Sequence, residues 1–372
     1  MVNFWLPEDL IVEILSRLPV KTLLRFKCVC TQWSALMSSP LFASLHLESS
    51  ISNPTRHSII VYDHCLNKAI SLHPITFSPV ENINLGLDHG YRFFPGIGYV
   101  GSINGLICEI GYSLYCLFLW NPSTRLFKRL PPGRHTDTIL NPSNCSFGFG
   151  WDPIANDYKV VKIVSIFEDG KIRTWAEVWS SNLDSWREIK VNRNFILRRV
   201  VCDVIVNGFP HWIVYDGIEL DSKLLVASFD TRTEVLHVVP VPELLLQLVP
   251  TTKQCAYFGM NWKGSFCLAG RVSVKPKKIY QVWKMENDSV TGKEAWTKKF
   301  TFALDVEFSG FLYNINEKFV LERYGELISY DVETREINTV GIEEAKHLVF
   351  WSHYYVESLV SIKGFNPFER WI

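Results

Sequence analysis

Histidine and cysteine are the side chains here most able to hold a metal or attack a substrate, and their spacing supports neither use. Ten His residues stand at 46, 57, 64, 73, 89, 135, 211, 237, 347 and 353, with no H-E-x-x-H or other metal-ligand pattern among them. His353, beside Tyr354 and Tyr355, reads as a packed strand residue. Cys28 and Cys30 are one residue apart with no second ligand pair nearby, which does not suit zinc. The nine Cys are odd in number and scattered, so they read as reduced thiols rather than a disulfide framework. GFGWDP at 148 lacks both the dinucleotide fingerprint and a GK[ST] phosphate loop, so its glycines point to a tight strand approach. There is no G-x-S-x-G elbow, and no carboxylate pair can be assigned from linear sequence. The expectation is a chain without intrinsic enzyme activity, metal or cofactor.

Binding chemistry remains. Lys275, Lys277 and Lys278, with Arg193, Arg198 and Arg199, could form a basic surface. Lys plus Arg and Asp plus Glu each total 38, however, so nucleic acid is disfavoured as a partner and an acidic protein is an equal candidate. Trp151, Trp179 and Trp186 are sugar-stacking residues by type, although their positions in a repeat favour core packing. No run reaches the 18 apolar residues of a membrane span, and MVNFWLPEDL lacks a basic n-region. A cytoplasmic location, extending to the nucleus, is expected.

The elements that would carry such surfaces fall into two groups. In LPEDLIVEILSRLP, Pro7 suits a helix start and Glu8 and Asp9 complement its positive end. At about 100° per residue, Leu10, Ile11, Val12, Ile14, Leu15 and Leu18 cover over half the circumference. Such a helix needs burial on two sides. Pro19 ends it; Val20 to Phe26 give a second short helix, and Val29 to Met37 a third before Pro40. Three helices in some forty residues make a thin core, which calls for a partner or a neighbouring domain.

The segment LPEDLIVEILSRLPVKTLLRFKCVCTQWSALMSSPLF resembles an F-box through its whole length. The resemblance implies docking to the Skp-type adaptor of an SCF ubiquitin ligase and, through it, to a cullin. It also implies adaptor contacts at Leu6, Pro7, Leu10, Ile14, Leu18, Pro19, Leu23, Val29, Cys30 and Trp33, some of which could serve the internal core instead. The implied domains are an F-box over 1–50, a connecting segment with the first propeller strands over 51–95, and an all-β domain over 96–372.

After residue 55 the sequence is short β-rich runs broken by Gly, Pro, Asn and Asp. WNPSTR at 120, FDTRTE at 229 and YDVETR at 330 repeat an aromatic, an Asn or Asp and a Thr. VWSSNLDSWREI and VWKMENDSVTGKEAWTKKF supply two more hairpins, and Tyr62-Asp63 a poorer first copy. Anchors at 62, 120, 179, 229, 283 and 330 predict a propeller-like domain of six blades, with seven as the alternative, each anchor marking a strand-turn-strand unit in which an Asp or Asn can form an Asx turn. LVFWSHYYVESLVSI is expected to complete the N-terminal blade and close the ring.

NGLICEIGYSLYCLFLWNPSTRLFKRLPP, FGFGWDPIANDYKVVKI, AEVWSSNLDSWREI and YYVESLVSI resemble the plant F-box-associated, kelch-like domain, without the Gly-Gly pairs of true kelch repeats. The ending and spacing are also similar to the S-locus F-box proteins of pollen, which implies a secreted ribonuclease as target in self-incompatibility. The function this resemblance implies is the substrate-recognition subunit of an SCF-type ligase. A non-degradative scaffold and a glycan-recognising receptor are the alternatives. An unidentified target protein is expected at His135–Asn144, Asn192–Leu197, Val249–Gln254 and Lys275–Lys278, irregular stretches between strand anchors.

Overall fold

The computed structural model describes residues 7–63, 68–72, 79–83, 99–110, 116–133, 144–219, 222–242, 257–274, 277–287, 294–304, 310–315, 318–323, 326–340 and 352–367. The chain opens with four helices, α1 (Glu8–Ser16), α2 (Val20–Phe26), α3 (Thr31–Met37) and α4 (Pro40–Ser52). The sequence predicts three, because Pro40 reads as a stop. It is instead the first residue of α4, where its missing N–H costs nothing, and the Ser39 hydroxyl caps the helix by accepting the Phe42 N–H at 3.2 Å. Leu15, Val20, Leu23, Met37 and Phe42 form the helical core.

A single 3-10 turn, Pro54–Arg56, leads into β1 (His57–Asp63), β2 (Lys68–Leu72) and β3 (Pro79–Ile83). The second sheet follows as β4 (Tyr99–Ile103), β5 (Leu106–Ile110), β6 (Leu117–Asn121) and β7 (Leu126–Arg129). The third is β8 (Cys145–Asp152), β9 (Asp157–Glu168), β10 (Lys171–Ser180) and β11 (Ser185–Ile189). Next come β12 (Val204–Val206), β13 (Phe209–Tyr215), β14 (Leu224–Asp230) and β15 (Val235–Pro240). The fifth sheet is β16 (Tyr257–Trp262), β17 (Ser265–Val274), β18 (Lys277–Asn287) and β19 (Glu294–Leu304). The sixth is β20 (Gly310–Ile315), β21 (Lys318–Arg323), β22 (Glu326–Asp331) and β23 (Ile337–Val340). Finally β24 (Ser352–Val356) pairs with β1, and β25 (Asn366–Pro367) pairs with β7.

These strands make five four-stranded antiparallel sheets and one five-stranded antiparallel sheet; four are meanders of consecutive strands, and the first two each add a strand from the C-terminal segment, β24 or β25. Strands β4, β8, β12, β16, β20 and β24 each touch the next, so the sheets close into a propeller ring. Closure is made by the C-terminal strand: β24 is innermost in the sheet whose other three strands follow the helices, with His57 opposite Val356 and Ile60 opposite His353. Without that pairing, both sides of the ring would present open edges.

The repeat anchors occupy one structural position with one exception. Trp120, Trp179, Phe229, Trp283 and Tyr330 all lie on the third strand of their sheets and are buried between neighbours. Tyr62 lies on β1, the second strand of its sheet. The first blade takes its innermost strand from the far end of the chain, so its third strand is β2 and the repeat is displaced there. Three of the anchors are followed by Asx turns, whereas Trp179 is followed by Ser180, whose hydroxyl accepts the Leu183 N–H, and Trp283 stands inside β18. The Asn121 amide oxygen accepts the Ser123 N–H at 3.0 Å. Asp230 accepts the N–H groups of Arg232 and Thr233, and Asp331 those of Glu333 and Thr334. Arg125, Glu234 and Arg335 finish these turns in the left-handed region, at φ 55°, 58° and 63°.

Candidate interaction surfaces

Antiparallel meanders place all first-to-second and third-to-fourth connections at one end of the ring, and all other connections at the opposite end. The first end carries tight turns such as Asn104–Gly105, Asn207–Gly208 and Lys263–Gly264. β1 begins and β24 finishes there, so the helical module sits on the tight-turn end. Of the four stretches proposed to meet a target, 192–197 lies between β11 and β12, a connection at the far end. Residues 135–143 and 249–254 lie outside the described residues, as do Lys275 and Pro276, whereas Lys277 and Lys278 open β18.

The stretch 192–197 is only partly a surface loop, which corrects the sequence reading. Phe195 and Leu197 are buried, and Phe195 exchanges backbone bonds with the Thr174 hydroxyl at 3.0 Å in both directions. Ile196 bridges to Tyr215 in the next blade. A large aromatic at the end of a polar run was the signal of this burial. Asn192, Arg193 and Asn194 remain exposed. Beside them Arg198 lies over the Tyr215 ring at 3.8 Å, and Arg199 pairs at 3.3 Å with the carboxylate of Asp203. Burial raises the Asp203 pKa, opposed by Arg199 and by the Ile213 N–H.

The three tryptophans considered for sugar stacking divide the same way. Trp179 and Trp186 are buried, the Trp186 indole donating to the Pro131 carbonyl at 2.6 Å. Trp151 is half-buried and stacks on Tyr158. The glycines of GFGWDP permit close blade packing: a Cβ on Gly148 would stand 2.5 Å from the Trp212 ring.

On the helical module, the broad apolar arc of α1 is split between two duties. Ile11, Val12 and Leu15 pack inward, while Leu10 and Ile14 are 45% and 51% exposed. Val29, in the turn before α3, is 62% exposed, and Pro7, Pro19 and Cys30 are also exposed. Leu18 and Trp33 are half-buried, and Trp33 rests against Phe26 with ring centroids 5.7 Å apart. Cys30 has a structural task, since its sulfur accepts the Trp33 N–H at 3.4 Å and caps α3. Leu6 lies outside the described residues. Leu23 is wholly buried in the helical core, so it holds the helices together rather than offering contact. Sequence reasoning missed Leu41 and Leu45, which are exposed on α4 one turn apart, because Pro40 hides that helix.

Between module and ring runs the segment after β24. The Glu357 carboxylate accepts the Val20 N–H at 2.7 Å, and Leu359 is buried in the helical core. Ser358 is buried against the second sheet, its hydroxyl donating to the Asn104 carbonyl at 2.8 Å. Nearby, Arg56 is buried and donates to the Ser16 carbonyl and the Ser50 hydroxyl.

A helical module with uncovered leucine and isoleucine side chains is here joined to a closed propeller. Residues 78–340 match the F-box associated beta propeller domain, and residues 4–45 match the F-box domain. The chain belongs to the F-box proteins with an F-box-associated β-propeller. It is similar to an F-box/kelch-repeat protein of Arabidopsis thaliana, 31% identical over 64% of this chain and 65% of that one. It is also similar to the F-box protein CPR1 of Arabidopsis thaliana, at 25% identity over 96% of this chain and 88% of that one.

Proposed function

We propose that this chain is the substrate-recognition subunit of an SCF-type cullin ubiquitin ligase, acting in the cytoplasm and nucleus. The observation that carries the reading is the outward presentation of Leu10, Ile14 and Val29 on a module whose own core is already filled by Leu15, Val20, Leu23, Met37 and Phe42. Covering the still exposed half of each side chain with a Skp-type adaptor contributes roughly 1 kcal/mol apiece. The adaptor then links to cullin, and bond chemistry belongs to those partners. The target protein meets the opposite, long-connection end, where loops vary on a rigid scaffold.

The test is co-purification of the full chain with adaptor and cullin. Leu10→Asp or Ile14→Asp places a charge on the docking face without touching the core and should abolish capture. Wild-type-strength capture by both variants sinks the assignment. The same variants should protect bound targets from ubiquitination. They serve this purpose better than removal of residues 1–50, which would uncover Leu359 and Arg56.

A further inference from the structure

The four residues after β24 alternate between two domains. Glu357 and Leu359 face the helical module: the first through Val20, the second inside the core with Leu15 and Phe42. Ser358 and Val360 face the propeller. The Asn121 amide donates to the Ser358 carbonyl at 3.0 Å and the Val360 carbonyl at 2.9 Å, and the Val360 side chain packs against the second and third sheets. This is the period of two of an extended chain, used here to give one strand two interfaces. Both ends are fastened. Upstream, the Glu357 N–H donates to the Arg56 carbonyl at 3.1 Å, and downstream Lys128 donates to the Lys363 carbonyl at 2.8 Å before β25 joins β7.

We infer that Glu357 to Val360 fix the direction in which the helical module holds the adaptor relative to the long-connection end, making Glu357 and Leu359 positioning residues for ubiquitin transfer. The inference rests on the ligase reading above. A rigid connection matters for such a reaction because the acceptor lysine must be delivered to a reactive thioester held far from the target, and geometric misplacement lowers rate without weakening binding. The tether at Pro54–Arg56, with the His57 ring against the Ser50 and Ile51 carbonyls at 3.1 Å, holds the module along the end of α4 and alone leaves it able to pivot there. The second attachment, made about 300 residues later in the chain, removes that freedom.

The test uses the full chain with spin labels on unnatural amino acids at exposed Glu48 and Glu188, which avoids the nine native cysteines. Wild type should give one narrow distance distribution. Glu357→Ala and Leu359→Ala should broaden it, with adaptor capture kept within about twofold as for distant sites. In the reconstituted ligase, ubiquitin placed on the chain's own exposed Lys171, Lys190 and Lys223 reports aim, and the ratio among them should shift by on the order of tenfold. Glu357→Gln, which keeps a carbonyl acceptor for the Val20 N–H but removes the charge beside buried Arg56, should move both readouts back toward wild type. A narrow distribution in both alanine variants overturns the inference, as does a broadened one with unchanged lysine ratios. Loss of adaptor capture by a folded variant overturns it too, since the segment would then build the docking face rather than aim it. Failure of wild type to capture adaptor sinks the ligase reading instead, and the distance measurement still decides whether this segment fixes the module.

Discussion

Lys162 and Glu177 stand directly opposite each other on β9 and β10, with ammonium and carboxylate 2.8 Å apart and both side chains 3% exposed. Each charge is tolerated inside the propeller because the other stands against it. Glu177→Ala should therefore destabilise the domain by about 3–5 kcal/mol, since it strands a buried ammonium. The joint replacement Lys162→Met with Glu177→Leu should restore most of that loss. Urea unfolding followed by tryptophan fluorescence measures both. Equal destabilisation by the single and double variants would show that the pair is not coupled.

Acid should weaken both parts of the molecule through two buried histidines. Burial holds the pKa of His46 down at about 4, with the Arg56 charge adding to the effect and the Leu18 carbonyl opposing it. Burial also lowers His211 to about 4, opposed by its bond to the Phe209 carbonyl. The unfolded chain, with an ordinary histidine value near 6.5, binds more protons between about that pH and 4. Each histidine's contribution is thus intact above about pH 6.5 and is lost as pH falls toward 4, up to roughly 3 kcal/mol apiece. Stability against pH should flatten across this window in His46→Gln for the helical module and in His211→Gln for the propeller. An unchanged slope in either variant counts against that histidine.

Asn121 shows what the sequence could and could not reveal. Its place in WNPSTR matches Asp230 and Asp331, and the shared Asx turn was legible from residue type alone. The choice of Asn over Asp was not, because it is set by partners more than 230 residues away: the amide donates to Ser358 and Val360 while its oxygen accepts from Tyr355 as well as from nearby Ser123. The repeat located the third strands for the same local reason, and it slipped at Tyr62, where the blade borrows a strand from the C-terminus. Leu10 and Ile14 were readable as a surplus of apolar arc on α1. Leu41 and Leu45 were not, because Pro40 reads as the end of one helix and is the beginning of another.

Asn121→Asp should keep the turn and lose the tail. The carboxylate still accepts the Ser123 N–H, but it faces the Ser358 and Val360 carbonyls with no hydrogen to give, at a cost of about 2 kcal/mol or more. Hydrogen exchange should accelerate across residues 357–367 while β6 and β5 keep their protection. Uniform exchange over the whole second sheet would mean that the substitution damages the blade itself.

The stretch from Asn192 to Leu197 offers a separation of surface from scaffold within six residues. Phe195 fills a space between the third and fourth blades, and its backbone is held by Thr174 on one side and Ser165 on the other. Phe195→Ala should cost about 3–5 kcal/mol and lower the unfolding midpoint. Arg193 is exposed and lies at the long-connection end, away from the helical module. Arg193→Ala should leave stability within about 0.5 kcal/mol of wild type. If targets approach from that end, proximity labelling by the folded Arg193→Ala chain should lose partners that the Leu10→Asp chain retains. The two variants divide the molecule's contacts because each alters one surface and leaves the other intact. Identical partner sets for both would place target binding elsewhere on the ring.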